Sequence, residues 1–305
     1  FFSNSGSEAN DSQIKMLRYY SNAIGKPQKK KIIALDRGYH GVTVASASLT
    51  GLPVMHSHFD LPVEALGILR ADCPHYFRGK VGDESEDEFV SRLLQSLEKL
   101  IFEEGAETIA AFIAEPLMGA GGVIVPPEGY LPKVQALLKE HDIFLWADEV
   151  ICGFGRTGND FGSTTMGIKP DLMSLAKQLS SAYVPISAAV VPGEMYEAMA
   201  QQSADVGMFG HGYTYTGHPV ACAAALKALE IYERDDLFAR AAKMGAHMQS
   251  RLQEYAGHEL VGEVRGKGLI GAIELVANKE TGQAFSDGQV GAFAQRACQV
   301  AGLLL

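Results

Sequence analysis

A lysine and an aspartate that could take part in one chemical step each follow an apolar run of strand length. Asp148 follows the run 143–147, and Lys177 follows the run 172–176, twenty-nine positions further along the chain. In an open parallel sheet the carboxyl ends of the strands line one ligand crevice, so both side chains are expected in the same pocket. A lysine amine can form a Schiff base there, and a carboxylate can keep a proton on a ring nitrogen.

Pyridoxal phosphate (PLP) is a cofactor that requires both of these groups. On the spacing alone, two other interpretations stay open and are the commoner arrangement: a buried ion pair between Lys177 and Asp148, or a lysine at the beginning of a helix.

A run of small polar residues, 3–10, leads into a helical segment near the amino end. The beginning of a helix presents free backbone N–H groups and the positive end of the helix dipole, which together can bind a phosphate. Gly6 and Ser7 are the candidates for this role. An ordinary capped helix is the alternative, because serine and asparagine are also good N-cap residues.

Aromatic and acidic side chains occur at two further strand ends. Tyr39 and His40 come shortly after the predicted strand 31–35, and a tyrosine in this position could stack on a flat cofactor ring. Glu115 follows the predicted strand 108–114, where it either points into the crevice or caps a loop through backbone N–H groups. Val150 lies two residues beyond Asp148 and would project to the same side of an extended chain.

The elements that must position these residues alternate between strand-like and helix-like patterns, which predicts an α/β fold with a mainly parallel sheet covered by helices. The predicted strands are 31–35, 108–114, 143–147, 172–175 and 186–191, and residues 1–3 are predicted to end another strand. The predicted helices are 11–20, 88–104, 130–141, 195–201, 219–233 and 237–255. Residues 262–265 and 269–275 are predicted to be antiparallel strands, so we expect a large domain at 1–234 and a smaller, truncated α+β domain at 235–305.

Composition restricts the class of protein. The 305 residues are 47% hydrophobic, enough to bury a large core, and the net charge of −10 gives no indication of a nucleic-acid or anionic-membrane partner. The four cysteines are scattered, which argues against a zinc site or a disulfide framework and favours a reducing cytoplasm. The chain starts and stops inside apolar runs, so we expect a fragment of a longer protein.

Six motifs occur in the order found in class III aminotransferases of PLP fold type I, and the chain resembles that family over nearly its whole length. The motifs are Ser5–Asn10, Tyr39–Gly41, Asp148–Val150, Gly153–Gly158, Lys177 and Gly217–Pro219. Within the family, Cys73–Arg78 and Glu115–Val123 are most similar to the (S)-selective amine:pyruvate transaminases, or ω-transaminases.

The resemblance implies that PLP is the cofactor and that Lys177 binds it covalently. It implies that the carboxylate of Asp148 pairs with the pyridinium nitrogen of the cofactor, and that Tyr39 and Val150 stack on the two faces of the ring. These four residues are the implied centre of the site.

The resemblance also implies residues around this centre. Gly6 and Ser7 would hold the phosphate, with His40 and Glu115 beside the cofactor. Thr214 corresponds to a threonine that reaches the phosphate of the partner subunit's cofactor. A site of that kind implies a homodimer with shared active sites.

The implied reaction moves an amino group from a primary amine or ω-amino acid to a keto acid, with pyruvate expected, by a ping-pong mechanism. A diamine or 4-aminobutyrate transaminase using 2-oxoglutarate, or an aminomutase, stays an alternative. A non-catalytic or nucleotide-binding α/β protein is disfavoured, because Gly119–Gly122 lacks the Rossmann spacing and the chain has no P-loop motif. The chain departs from the family at Ala182 and Ser187, where glycine is common, and at Thr216, where serine is common.

Overall fold

The computed structural model describes residues 1–286 and 288–304, and its largest feature is a seven-stranded sheet. The strands are β1 (Phe2–Ser3), β2 (Lys31–Leu35), β3 (Ile68–Ala71), β4 (Ile109–Ala114), β5 (Phe144–Asp148), β6 (Leu172–Leu175) and β7 (Ser187–Val190), in the spatial order β1-β7-β6-β5-β4-β2-β3. Neighbours from β3 to β6 pair in parallel, which confirms the mainly parallel sheet. β7 is antiparallel to both of its neighbours, and for β6 the reason is that the connection 176–186 is too short for a crossover.

Helices cover both faces of this sheet. The helices described are α1 (Gly6–Ala23), α2 (Val44–Leu49), α3 (Tyr76–Gly79), α4 (Glu86–Glu104), α5 (Tyr130–Glu140), α6 (Gly162–Met166), α7 (Gly193–Val206), α8 (Pro219–Arg234), α9 (Leu237–Gln253) and α10 (Gln289–Val300). Alternate strand residues enter separate cores, as the two-residue period of a strand requires. Phe112 packs with residues of α4 and α5, whereas Ile113 and Trp146 pack with residues of α1 and α7.

The sequence patterns located most of the strands and long helices to within one or two residues, but α1 begins five residues before its predicted range. They missed the strand β3 and the helices α2, α3, α6 and α10. β3 is an edge strand whose pattern is interrupted by Arg70. The guanidinium of Arg70 donates to the carbonyl oxygens of Ser48, Leu49 and Thr50, so tertiary contacts satisfy a charge that argues against a strand in the sequence. Helix α7 is also longer than the predicted range 195–201.

A second sheet has two antiparallel strands, β8 (Val261–Lys267) and β9 (Ile270–Leu275), as expected. Helix α9 packs against both strands and follows α8 after a break of two residues. The division of the chain at residue 235 stays a prediction, and Leu305, with which the second unit was expected to end, lies outside the described residues. In the described part of the chain, no helix combines the length and apolarity needed to cross a membrane.

Candidate active site

A cavity of about 430 Å³ lies where the segments that follow β2, β4, β5 and β6 meet the beginning of α1. Parallel strands bring their carboxyl ends to one edge of the sheet, and this is why segments far apart in sequence share the cavity. The predicted site residues that line it are Gly6, Ser7, Tyr39, His40, Glu115, Asp148, Val150 and Lys177. Thr214 lies outside this wall.

Asp148 is a buried carboxylate, 3% exposed, surrounded by N–H donors. Its Oδ2 accepts from Asn10 Nδ2 at 3.0 Å and from His40 Nδ1 at 2.9 Å, and its Oδ1 accepts from the backbone N–H of Val150 at 3.1 Å. His40 donates through Nδ1 in this pair, because a carboxylate oxygen only accepts, and its Nε2 atom is buried without a hydrogen-bond partner. These contacts fix the carboxylate at the cavity wall.

The adjacent carboxylate, Glu149, has a different role. It is fully buried and accepts from the backbone N–H groups of Gly162 and Ser163, which begin α6, and from the Ser163 hydroxyl. Glu149 is therefore a helix cap outside the cavity lining, and it provides a matched control for Asp148.

Lys177 follows β6 directly and begins the short 3-10 helix Lys177–Ser180. The buried ion pair of the alternative interpretation is not observed, because the backbone leaves the sheet at Ala176 and Lys177 is exposed along the cavity. The ion pairs of the described residues do not include one between Lys177 and Asp148, whose partners are the N–H groups of Asn10, His40 and Val150. Lys177 has φ +45°, a left-handed conformation that costs energy in a non-glycine residue and is found where the surroundings impose it.

The beginning of α1 is held by reciprocal caps. Ser5 Oγ accepts from the N–H of Glu8 at 3.2 Å, while the Glu8 carboxylate accepts from the backbone N–H of Asn4 at 2.7 Å. The N–H groups of Gly6 and Ser7 belong to the first turn, whose amides have no carbonyl partner within the helix. The helix is therefore capped in the ordinary way, as the alternative interpretation expected, and the N–H groups of Gly6 and Ser7 are still available at the cavity.

Small residues are required where Val150 and the loop after Tyr39 approach α1. A Cβ atom on Gly6 would lie 3.1 Å from a methyl group of Val150, and one on Gly41 would overlap the hydroxyls of Ser7 and Ser46. Ser7 Oγ also accepts from the N–H of Val42 at 3.1 Å. Ser7 therefore joins the helix to the loop that carries Tyr39.

Glu115 links the loop of Tyr39 to the loop after β4. Its Oε1 accepts from the N–H of Tyr39 and its Oε2 from the N–H of Gly119, both at 2.9 Å, and the residue is 4% exposed. The loop-capping interpretation of Glu115 is thus observed, at a position that also lines the cavity. Burial raises the pKa of Glu115 to about 7, and the charge of Asp148 acts in the same direction, against the lowering effects of His40 and the two N–H groups.

Thr214 is exposed in the segment 207–217, which follows α7. The segment packs on α1 of its own chain: His211 Nε2 lies 2.9 Å from Ser12 Oγ, and the Tyr213 hydroxyl donates to the carbonyl oxygen of Glu8 at 3.2 Å. The expected contact of Thr214 with a partner's cofactor stays a prediction, since it concerns a second subunit.

Sequence reasoning missed several residues of the cavity wall. Asn10, a partner of Asp148, was part of a quoted motif but was not selected as a site residue, although it lies one helical turn after Gly6. The other missed lining residues are Asn4, Ser5, Gly41, Ile151, Ala176, Ala182, Tyr183, Val184, Pro185 and Ile186. Most of the last group belong to the connection between β6 and β7, which carries no motif beyond Lys177.

The residues present fit PLP. The cavity combines an amine, a buried carboxylate held by three N–H donors, a tyrosine and a valine in the wall, and a glycine-bearing helix start suited to an anion. A Cβ on Gly6 would crowd Val150, so only a glycine lets the helix start approach this side chain so closely. The expectation that the chain holds no metal stays a prediction.

Comparison with known proteins gives the same family. The family model described as "Aminotransferase class-III" matches residues 1–303, and the chain belongs to this family. Its fold is that of the class III aminotransferases, PLP fold type I, and the family uses PLP as its cofactor.

The relatives include enzymes with two kinds of name. The chain is 52% identical to a probable gamma-aminobutyrate transaminase 3, mitochondrial, of Oryza sativa subsp. indica, over 100% of this chain and 60% of that protein. It is also 52% identical to gamma aminobutyrate transaminase 1, mitochondrial, of Solanum lycopersicum, over 100% of this chain and 59% of that protein. A crystal structure of the ω-transaminase from Pseudomonas jessenii in complex with PMP matches with a TM-score of 0.97 and 52% identity, over 100% of this chain and 67% of that chain. The chain thus spans about 60% of the length of the curated relatives it matches.

Proposed function

We propose that this chain is the cofactor-binding part of a PLP-dependent transaminase that moves an amino group from a primary amine or ω-amino acid to a keto acid, with pyruvate as the acceptor. The observation that carries the proposal is the convergence of an exposed lysine and a buried, N–H-bonded aspartate on one cavity. The similarity to ω-transaminase structures supports the choice of donor class.

When bound, PLP supplies an electron sink for the bond broken at the amine-bearing carbon. Asp148 would hold the ring-nitrogen proton, because its charge is fixed at the wall by Asn10, His40 and the Val150 amide. Gly6 and Ser7 would bind the phosphate at the start of α1, and Tyr39 and Val150 would enclose the ring. Lys177 would bind the cofactor covalently.

The same lysine would act as the base. Its amine ends a flexible four-carbon chain, so Lys177 Nζ can take the α-proton from the substrate and return it at a neighbouring atom. The ion pairs of the described residues do not include Lys177, and the three N–H donors of Asp148 leave that carboxylate a free acceptor position for the ring nitrogen.

A 4-aminobutyrate transaminase is the second candidate, supported by the names of the plant relatives at 52% identity. Its donor would place a carboxylate in the pocket, whereas a simple primary amine would place none there. A diamine transaminase and an aminomutase share the same cofactor chemistry and have no observation in their favour here.

For the whole protein we propose a homodimer in which Thr214 contacts the partner's cofactor. Its exposure beyond the wall of its own cavity is compatible with that role. We also propose a cytoplasmic location, supported by four cysteines that are all free of disulfides.

The direct test uses the full-length protein, loaded with PLP and reduced with borohydride. We expect the cofactor to be fixed on the peptide that contains Lys177, and attachment to another lysine would contradict the proposal. A panel of amine donors with pyruvate or 2-oxoglutarate as acceptor then separates the candidates. Activity with 1-phenylethylamine and pyruvate supports the first, and activity confined to 4-aminobutyrate supports the second.

A further inference from the structure

Arg265 lies on β8, in the second sheet, yet its side chain reaches the loop that follows Glu115, a residue of the cavity wall. Its Nε donates to the carbonyl oxygens of Gly122 and Val123 at 3.0 and 3.2 Å, and its Nη2 donates to Gly122 O at 2.6 Å. The side chain is 10% exposed. A charged donor fixed in this way on two backbone carbonyls restricts the loop more strongly than a neutral hydrogen bond.

The loop that Arg265 holds is the turn 119–123. The N–H groups of Gly122 and Val123 both donate to the carbonyl oxygen of Gly119, at 3.1 and 2.9 Å. Val123 has φ +52°, which is strained for a β-branched residue and persists only where the surroundings impose it. The bonds from Arg265 are at this strained position.

The other end of the turn is connected to Tyr39. Gly119 donates to Glu115 Oε2, and Glu115 Oε1 accepts from the N–H of Tyr39. The turn also packs on the segment just before Tyr39, since a Cβ on Gly121 would overlap the carbonyl oxygen of Arg37. Two independent contacts therefore transmit the position of the turn to the backbone of Tyr39.

Ion pairs hold the guanidinium of Arg265 itself. Its Nη1 donates to Glu263 and Glu274, and Glu274 is shared with Arg78, 2.7 Å away. His75, Glu263 and Glu274 have the spacing of a possible metal site, but the two arginines already neutralise both carboxylates. We therefore interpret this cluster as the support of Arg265 and not as a cation site.

We propose that Arg265 is a positioning residue for the cofactor site: it clamps the turn 119–123, which holds Tyr39 at the cavity through Glu115. The inference rests on the proposed function for the role of Tyr39 in cofactor binding. The clamp itself is a property of the cofactor-free chain and can be tested without cofactor. It makes the wall of the cavity depend on the docking of the second sheet.

The test compares Arg265→Met with Arg78→Met in the full-length protein. Both variants remove a guanidinium from Glu274, but only Arg265 contacts the turn, so Arg78→Met is the matched control for the loss of an ion pair. In the cofactor-free protein we expect hydrogen exchange at residues 37–41 and 117–124 to accelerate in Arg265→Met alone. Exchange at residues 144–150, which the clamp does not contact, should be unchanged in both variants.

Affinity for PLP gives the second readout. We expect Arg265→Met to weaken binding by about threefold to tenfold, and Arg78→Met by less than about twofold. In a Tyr39→Ala background, Arg265→Met should add less than about twofold, because its effect passes through Tyr39. Should Arg265→Met fail to fold, Arg265→Lys, which keeps the charge but loses the planar set of donors, allows the same comparisons.

The outcomes separate the two proposals. A wild-type protein that binds no PLP overturns the proposed function, while the exchange data still decide the clamp. Unchanged exchange around Tyr39 in Arg265→Met overturns the clamp. Equal, additive losses of affinity in both Tyr39 backgrounds would show that Arg265 does not act through Tyr39, and would also overturn the inference.

Discussion

At the scale of single residues, the charge of Asp148 is the feature on which the proposed chemistry depends most directly. Asp148→Asn replaces a carboxylate with an amide that cannot hold a proton on the ring nitrogen. We expect the turnover number to fall on the order of a hundredfold or more, measured with a saturating amine donor. Because the amide can keep the contacts with Asn10 and His40, circular dichroism should show a folded chain.

Glu149→Gln is the control for this variant. It changes the neighbouring buried carboxylate, which caps α6 and lies outside the cavity lining. We expect it to lower the melting temperature while turnover stays near that of the wild type. Near-normal turnover in Asp148→Asn would contradict the role of Asp148.

Ala182 stores strain beside the cavity. It has φ +59°, in the left-handed region that favours glycine, and its N–H donates to the carbonyl oxygen of Lys177 at 3.0 Å. Relief of this strain outweighs the added flexibility of the unfolded chain, so we expect Ala182→Gly to raise the free energy of unfolding by about 0.5–1 kcal/mol. Chemical denaturation measures it. Ala284→Gly, at an exposed position that is not left-handed, should be neutral or destabilising, and a loss of stability in Ala182→Gly would contradict the strain argument.

At the scale of elements, Glu115 joins the loops that follow β2 and β4 and makes their packing depend on pH. Its pKa rises from the usual 4.5 to about 7 because it is buried. The carboxyl is therefore harder to ionise in the folded chain, so its contribution to stability is complete below about pH 4.5 and is lost as the pH rises through about 7. The wild-type free energy of unfolding should fall by about 3 kcal/mol relative to that of Glu115→Gln across this range.

Denaturation of both proteins at a series of pH values measures this difference. Glu107→Gln, at an exposed carboxyl group, should follow the wild type at every pH. If the difference in free energy of unfolding between the wild type and Glu115→Gln is the same at every pH, the pKa of Glu115 does not change on folding, which would contradict this prediction.

At the scale of the whole molecule, the proposed dimer makes each site depend on two chains. If Thr214 contacts the partner's phosphate, Thr214→Ala removes a hydrogen bond to a charged group, worth roughly 1.5–3 kcal/mol, or on the order of a tenfold to hundredfold loss in PLP affinity. Co-expression of Lys177→Ala and Thr214→Ala chains with different tags isolates the heterodimer. One of its sites then lacks both groups and the other has both.

We expect half of the sites of the heterodimer to bind PLP with normal affinity, and borohydride to fix the cofactor at those sites alone. Weak binding at every site that carries Lys177 would place Thr214 in its own subunit and contradict the shared site. The homodimer of Thr214→Ala chains, weak at both sites, completes the comparison.

The sequence by itself determined the α/β fold, most strand and helix positions and the candidates for the cofactor site. It could do so because apolar runs and helical periodicity are local signals, and because parallel strands bring their carboxyl ends to one edge whatever connects them. Lys177, Asp148 and Glu115 lie 62 positions apart at most, and their places at strand ends made them candidates. The order of the six family motifs then distinguished a cofactor site from an ordinary ion pair or loop cap.

Only the tertiary structure decided what each side chain contacts. Asp148 accepts hydrogen bonds from Asn10 and His40, and Glu115 accepts from the loops on both sides of it. These contacts and the exposure of Lys177 depend on the packing of segments that are distant in sequence. The missed strand β3 and the reach of Arg265 to Gly122 have the same cause. The charged side chains of Asp148, Glu115 and Arg265 all have hydrogen-bond partners that are distant in sequence. A pattern of neighbouring residues carries no information about such partners.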